Sequence, residues 1–148
     1  MAIKDQLQAD VKTALRASDK GRLMVLRMAL AAVKQREVDD RVELNDDQVM
    51  AVIEKMVKQR RESIAQFDKG GRTDLSDKER AEIEILTPYL PEQLSEAELQ
   101  QLVTDIITDT GASGMKDMGK VMGQIKARAA GRADMSAVGA LVRARLGA

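Results

Sequence analysis

Apolar side chains recur along this chain at intervals of three and four residues, and no strict alternation lasts the length of a strand. The pattern predicts an all-α fold. Ile3, Leu7, Val11 and Leu15 form one stripe on a first helix that ends near Ser18. Leu23, Leu26, Leu30 and Val33 mark a second helix, after which REVDDRVELNDD reads as a charged connection. Asn45, with Gln48 three residues on, has the form of a capping box, and Asp46 and Asp47 suit the positive end of a helix dipole. Val49, Val52, Ile53, Met56, Val57, Ile64 and Phe67 then keep one face apolar over about six turns, which makes this the longest helix. It should stop at Gly70 and Gly71. Ser76 and Glu79 repeat the capping spacing before Ile83, Ile85 and Leu86, and Pro88 and Pro91 in TPYLP end the run.

This proline pair predicts a boundary between an N-terminal helical subdomain of long helices, residues 1–90, and a small C-terminal three-helix subdomain, residues 91–148. Beyond it Ser95 and Glu98 form another capping pair for a helix bearing Leu99, Leu102, Val103, Ile106 and Ile107. Ser113 is expected to cap a helix running to about Ala130, with Gly131 ending it. Asp134 is expected to cap the last helix, which carries Val138, Leu141, Val142 and Leu146.

Charge changes this picture only when it is read locally. The 148 residues carry 24 bases and 24 acids, so no overall field draws the chain to nucleic acid or anionic membrane. The second half is nevertheless segregated. Residues 91–114 hold five acids and no base, whereas residues 115–148 hold seven bases and two acids. The absence of cysteine and histidine removes disulfide and thiolate chemistry together with the commonest metal ligand and general base. The opening MAIKDQLQADVK lacks the apolar stretch of a secretion signal, and LMVLRMALAAV is interrupted by Arg27 and too short to span a bilayer, so a cytoplasmic address is expected.

On a helical wheel the stretch MKDMGKVMGQIKARAAGRADM places Met115, Met118, Val121, Met122, Ile125 and Ala129 on a buried face. Gly119 and Gly123 lie at its edge beside Lys116, Lys120 and Gln124. Two missing side chains make a notch that either a neighbouring helix or a polymer backbone can approach, and Gly131 follows as a third close-approach candidate. Lys116, Lys120, Lys126, Arg128, Arg132, Arg143 and Arg145, segregated from the acids, are candidate contacts for a phosphate backbone at this surface, the RNA-binding set if RNA is the ligand. A plainer role for each is to offset a helix dipole or to pair with the acidic helix. The run KQRRE at residues 58–62 is a second basic candidate, although Glu54, Lys58 and Glu62 have the spacing of local ion pairs. Phe67 and Tyr89 are the only aromatics, so recognition would rest on shape and backbone rather than on base stacking.

No catalytic constellation is legible. GASG around Ser113 lacks the spacing and the strand of a nucleophile elbow, and no histidine is present to serve as base. The acidic run between Glu37 and Asp47 lacks the glycine and the alternating oxygen ligands of a calcium loop. No metal or other cofactor is called for.

The segments KQRRESIAQFDKGGRTDL, LTPYLPEQLSEAEL and GASGMKDMGKVMGQIKARAAGRADMSAV together resemble the YqeY family, also called the GatB/YqeY family, over essentially the whole chain. The part from about Ser95 onward is also similar to the tail domain of the GatB component of the glutamyl-tRNA and aspartyl-tRNA amidotransferase, and to a unit appended to some glutaminyl-tRNA synthetases. The resemblance implies an all-helical accessory of tRNA metabolism, with tRNA or another structured RNA as partner and links to amidotransferase or aminoacyl-tRNA synthetase machinery. It also brings an association with carbon–nitrogen ligase chemistry using glutamine as amido donor, for which this chain offers no catalytic residues. The competing expectation is a non-catalytic protein–protein interaction module with no RNA role.

Overall fold

The computed structural model describes residues 2–147, which form seven α-helices and no strand. The helices are α1 (Ile3–Arg16), α2 (Lys20–Asp40), α3 (Asp46–Lys69), α4 (Thr73–Leu86), α5 (Glu96–Thr110), α6 (Met118–Ala129) and α7 (Met135–Leu146). Short 3-10 turns stand at Thr87–Tyr89 and Met115–Asp117. The fold divides into two compact units between Leu90 and Pro91, each with its own apolar core.

In the first unit α1 to α4 enclose Leu7, Val25, Leu26, Ala29, Val33, Val49, Ile53, Val57 and Leu86. Asn45 caps α3 as its sequence requires: its side chain accepts from the Gln48 amide at 2.9 Å, and the Gln48 side chain accepts from the Asn45 amide at 3.0 Å. The Tyr89 hydroxyl donates to the Asp10 carboxylate and ties the 3-10 turn to α1.

Four local expectations are corrected. The REVDD segment is helix, because α2 runs through Asp40. Gln35 donates to Asp39 at 2.8 Å and Arg36 pairs with Asp40 at 3.4 Å, so these residues support another turn. α4 begins at Thr73 rather than behind Ser76, whose buried hydroxyl donates to Asp68 at the end of α3. Leu15 is largely exposed, and Ala14 takes its place in the core. In KQRRE, the second basic candidate, Lys58 and Glu62 are exposed, but Arg60 is buried between α3 and α4 and is lost to any surface. Its Nε lies 3.8 Å from Glu82, too long for a hydrogen bond, and its guanidinium donates instead to the Met56 carbonyl at 3.1 Å.

The second unit is built from α5, α6 and α7 around Val103, Ile106, Val121, Ile125, Ala129, Val138, Val142 and Leu146. The Ser95 side chain accepts from the Glu98 amide, and the Asp134 side chain accepts from the Ser136 amide. Gly111 and Gly131 close α5 and the α6–α7 turn in the left-handed region, at φ 66° and 73°. Ser113 is not a cap. Its amide donates to the Asp117 carboxylate, so Asp117 organises the turn before α6. Met115 sits on that 3-10 turn and is exposed rather than part of the buried face.

Candidate nucleic-acid interface

The seven candidate bases fall on two helices and two turns of the second unit. Lys116 lies on the 3-10 turn, Lys120, Lys126 and Arg128 on α6, Arg132 on the α6–α7 turn, and Arg143 and Arg145 in the last turn of α7. All are exposed except Arg132, which is half-buried. The 3-10 turn packs against α7, with Met115 Sδ about 4.0 Å from where a side chain on Gly147 would begin. The start of α6 and the end of α7 therefore meet, which brings Lys116 and Lys120 to the same end of the unit as Arg143 and Arg145. Lys126, Arg128 and Arg132 gather toward the other end.

What these cations touch decides what they can do. Among the described residues none of the seven lies within 4.0 Å of an Asp or Glu carboxylate; every ion pair found there is in the first unit. The acidic helix therefore makes no ion pair with the basic ones among the described residues. Glu96, Glu98, Asp105 and Asp109 are solvent-exposed on α5. Two arginines do have partners, and these are neutral oxygens. Arg145 donates to the Thr104 hydroxyl at 2.7 Å and to the Gln100 side chain at 2.9 Å, which fixes α7 to α5. Arg132 Nε donates to the Glu92 carbonyl at 3.0 Å. Beside it the Gln93 side chain donates to the Gly131 carbonyl and the Leu94 amide to the Arg132 carbonyl, so residues 92–94 are pinned to the α6–α7 turn. Neutral partners leave both guanidinium charges uncompensated, although their geometry serves the fold first.

The glycines divide in the same way. A side chain added at Gly119 or Gly123 would meet nothing within 4 Å, so no neighbouring helix fills the notch. Both glycines are exposed, and with Ala127 they form a low strip flanked on the wheel by Lys120 and Lys126. Gly131, expected as a third close-approach point, is buried and serves the turn. Gly139, which the apolar pattern did not single out, is the glycine that helix packing uses. A side chain there would lie 3.9 Å from both the Met122 side chain of α6 and the Arg143 guanidinium. Arg143 is thereby placed beside the α6–α7 seam at Met122.

The arrangement offers concentrated positive charge around a low, uncharged strip, the form of a surface that receives a polyanionic backbone. No group of three or more carboxylates among the described residues is placed to hold a metal, and no described helix is long and apolar enough to cross a membrane.

The family model described as Yqey-like protein matches residues 4–146. The chain belongs to the YqeY family. Similar YqeY-type relatives are fungal proteins named "Altered inheritance of mitochondria protein 41, mitochondrial". The one from Lachancea thermotolerans is 34% identical over 106 residues, which cover 70% of this chain and 57% of the relative. The one from Kluyveromyces lactis is 38% identical with the same two coverages, 70% and 57%. That from Pyrenophora tritici-repentis is 30% identical over 86% of this chain and 71% of the relative. The chain thus spans little more than half the length of two of these three relatives.

Proposed function

We propose that this YqeY protein is a non-catalytic accessory that grips tRNA, or another structured RNA, through the basic surface of α6, its preceding turn and the end of α7. The observation that supports this most directly is that, among the described residues, none of the seven bases has an Asp or Glu carboxylate partner, in a unit whose residues 91–114 carry five acids. A surface of like charges adds self-repulsion, and a polyanion relieves it by releasing the counterions that otherwise collect there. The open strip at Gly119 and Gly123 adds to the argument, since two glycines in mid-helix weaken the helix and fill no packing need.

On this reading Lys116, Lys120, Lys126, Arg128 and Arg143 supply the contacts, while Arg132 and Arg145 hold the surface in shape and add field. The similarity of this unit to amidotransferase tail domains makes an amidotransferase or a synthetase the natural setting, with the chemistry performed elsewhere. A compartment that contains tRNA is required: the cytoplasm, as the sequence leads one to expect, or the mitochondrion if the address in the relatives' names is shared. The test is the triple charge reversal Lys120→Glu, Lys126→Glu, Arg128→Glu, which touches exposed side chains without hydrogen bonds to the rest of the unit. Binding of purified tRNA should fall by at least about a hundredfold, with circular dichroism and melting temperature nearly unchanged. Unchanged tRNA binding would overturn the proposal.

A further inference from the structure

The first unit carries a surface that the RNA reading leaves unused. The part of α2 from Lys20 to Arg36 holds five bases and no acid. One face of the helix is buried through Val25, Leu26, Ala29 and Val33. On the opposite face Met24, Met28 and Val38 are exposed at 60%, 43% and 63%, which is unusual for side chains of this size. These residues repeat in sevens. Met24, Ala31 and Val38 form one row, Met28 and Gln35 a second, and Lys20, Arg27 and Lys34 a third along the border. In heptad terms the first two rows occupy the d and a positions of a coiled-coil seam, and the bases occupy its g positions. Around Lys20, Leu23, Met24, Arg27, Met28 and Ala31 the surface forms a shallow groove.

We propose that this face of α2 docks an acidic amphipathic helix of a partner protein, with the partner's apolar side chains set between Met24, Met28, Ala31 and Val38 and its carboxylates paired with Lys20, Arg27 and Lys34. Charge complementarity selects this occupant. None of the three border bases has a carboxylate within 4.0 Å among the described residues, and Glu37, one turn beyond Lys34, is committed to Lys4 at 2.8 Å. A second copy of the chain fits worse. Antiparallel pairing would set one basic row against the other, and parallel pairing would set it against Val25, Ala32 and Asp39, of which Asp39 alone offers a counter-charge. A membrane surface would need a broad face of large apolar residues, whereas this seam is two rows wide and contains Ala31 and Gln35. A nucleic acid would leave the methionine row without a purpose.

The test uses the full chain and a labelled synthetic peptide of three heptads with Leu at a and d and Glu at e and g, whose own charges oppose self-association. Fluorescence anisotropy should show saturable binding. A peptide of the same composition in scrambled order should bind at least about tenfold more weakly. Arg27→Glu with Lys34→Glu, and separately Met24→Ser with Met28→Ser, should each weaken binding by about tenfold or more with unchanged circular dichroism. Charge reversal in the second unit, Lys120→Glu with Lys126→Glu, should leave it unaltered. No binding, equal binding of the scrambled peptide, or sedimentation with phosphatidylserine-containing vesicles that the α2 substitutions abolish would overturn the proposal.

Discussion

Gly119 and Gly123 separate a packing role from a binding role more sharply than any other pair of residues in the second unit. Both sit in ordinary helix, away from the left-handed glycines at residues 71, 111 and 131, and a methyl group at either would touch nothing. Gly119→Ala with Gly123→Ala should therefore raise the stability of the unit, by up to about 1 kcal/mol per site in a denaturant titration. The same methyl groups would fill the low strip between Lys120 and Lys126, so tRNA affinity should drop severalfold in a filter-binding measurement made on the same protein. A variant both more stable and equally tight would detach the strip from function. These glycines and the flanking lysines could be read from spacing alone. What spacing could not supply was the absence of a neighbour over the strip, nor that Arg132 and Arg145 would spend their hydrogen bonds on Glu92, Thr104 and Gln100. Those partners are 40 or more residues away in the chain, where local pattern carries no information.

Elements were legible where their signals were local. Asn45, Ser95 and Asp134 each accept from a backbone amide at the start of the helix they precede, as short-range capping chemistry dictates. Two expectations failed where a group on another helix decided the outcome. Ser76 has the spacing of a cap, yet Asp68 across the α3–α4 turn captures its hydroxyl, and the helix begins earlier. Arg60 looks like one base in a solvated run, yet α4 closes over it with Glu79 and Glu82. There burial, reinforced by the neighbouring Glu82 and opposed by Arg60, holds the Glu79 carboxyl above its ordinary value of 4.5. A carboxyl with a raised folded-state pKa binds its proton more tightly in the native than in the unfolded chain. Its contribution is thus fully present below the unfolded value and is lost as pH rises through the folded one. Glu79→Gln should accordingly stabilise the first unit near neutral pH and have little effect below about pH 4, by the same linkage. Thermal melts across that range check it; a variant that is destabilised at neutral pH would show that the charged form is the one α3 and α4 hold.

At the scale of the whole molecule every ion pair found among the described residues lies in the first unit. In the first unit Lys4, Arg36, Arg60, Arg72 and Arg80 each lie within 4.0 Å of a carboxylate, while other bases, among them Lys20, Arg27 and Lys34 on α2, do not. The second unit exposes its acids on α5 and its bases on α6 and α7 without joining them. Segregation along the chain was visible in the sequence; whether it meant internal neutralisation or an open field depended on side-chain geometry that no count of charges contains. An open field makes a quantitative demand. The decisive measurement is the affinity of the purified chain for tRNA as a function of salt, from dilute buffer to physiological strength. With four or five phosphates met by Lys116, Lys120, Lys126, Arg128 and Arg143, a plot of log affinity against log salt should fall with a slope of about −3 to −4. No detectable complex even in dilute buffer, or one indifferent to salt, would contradict the account.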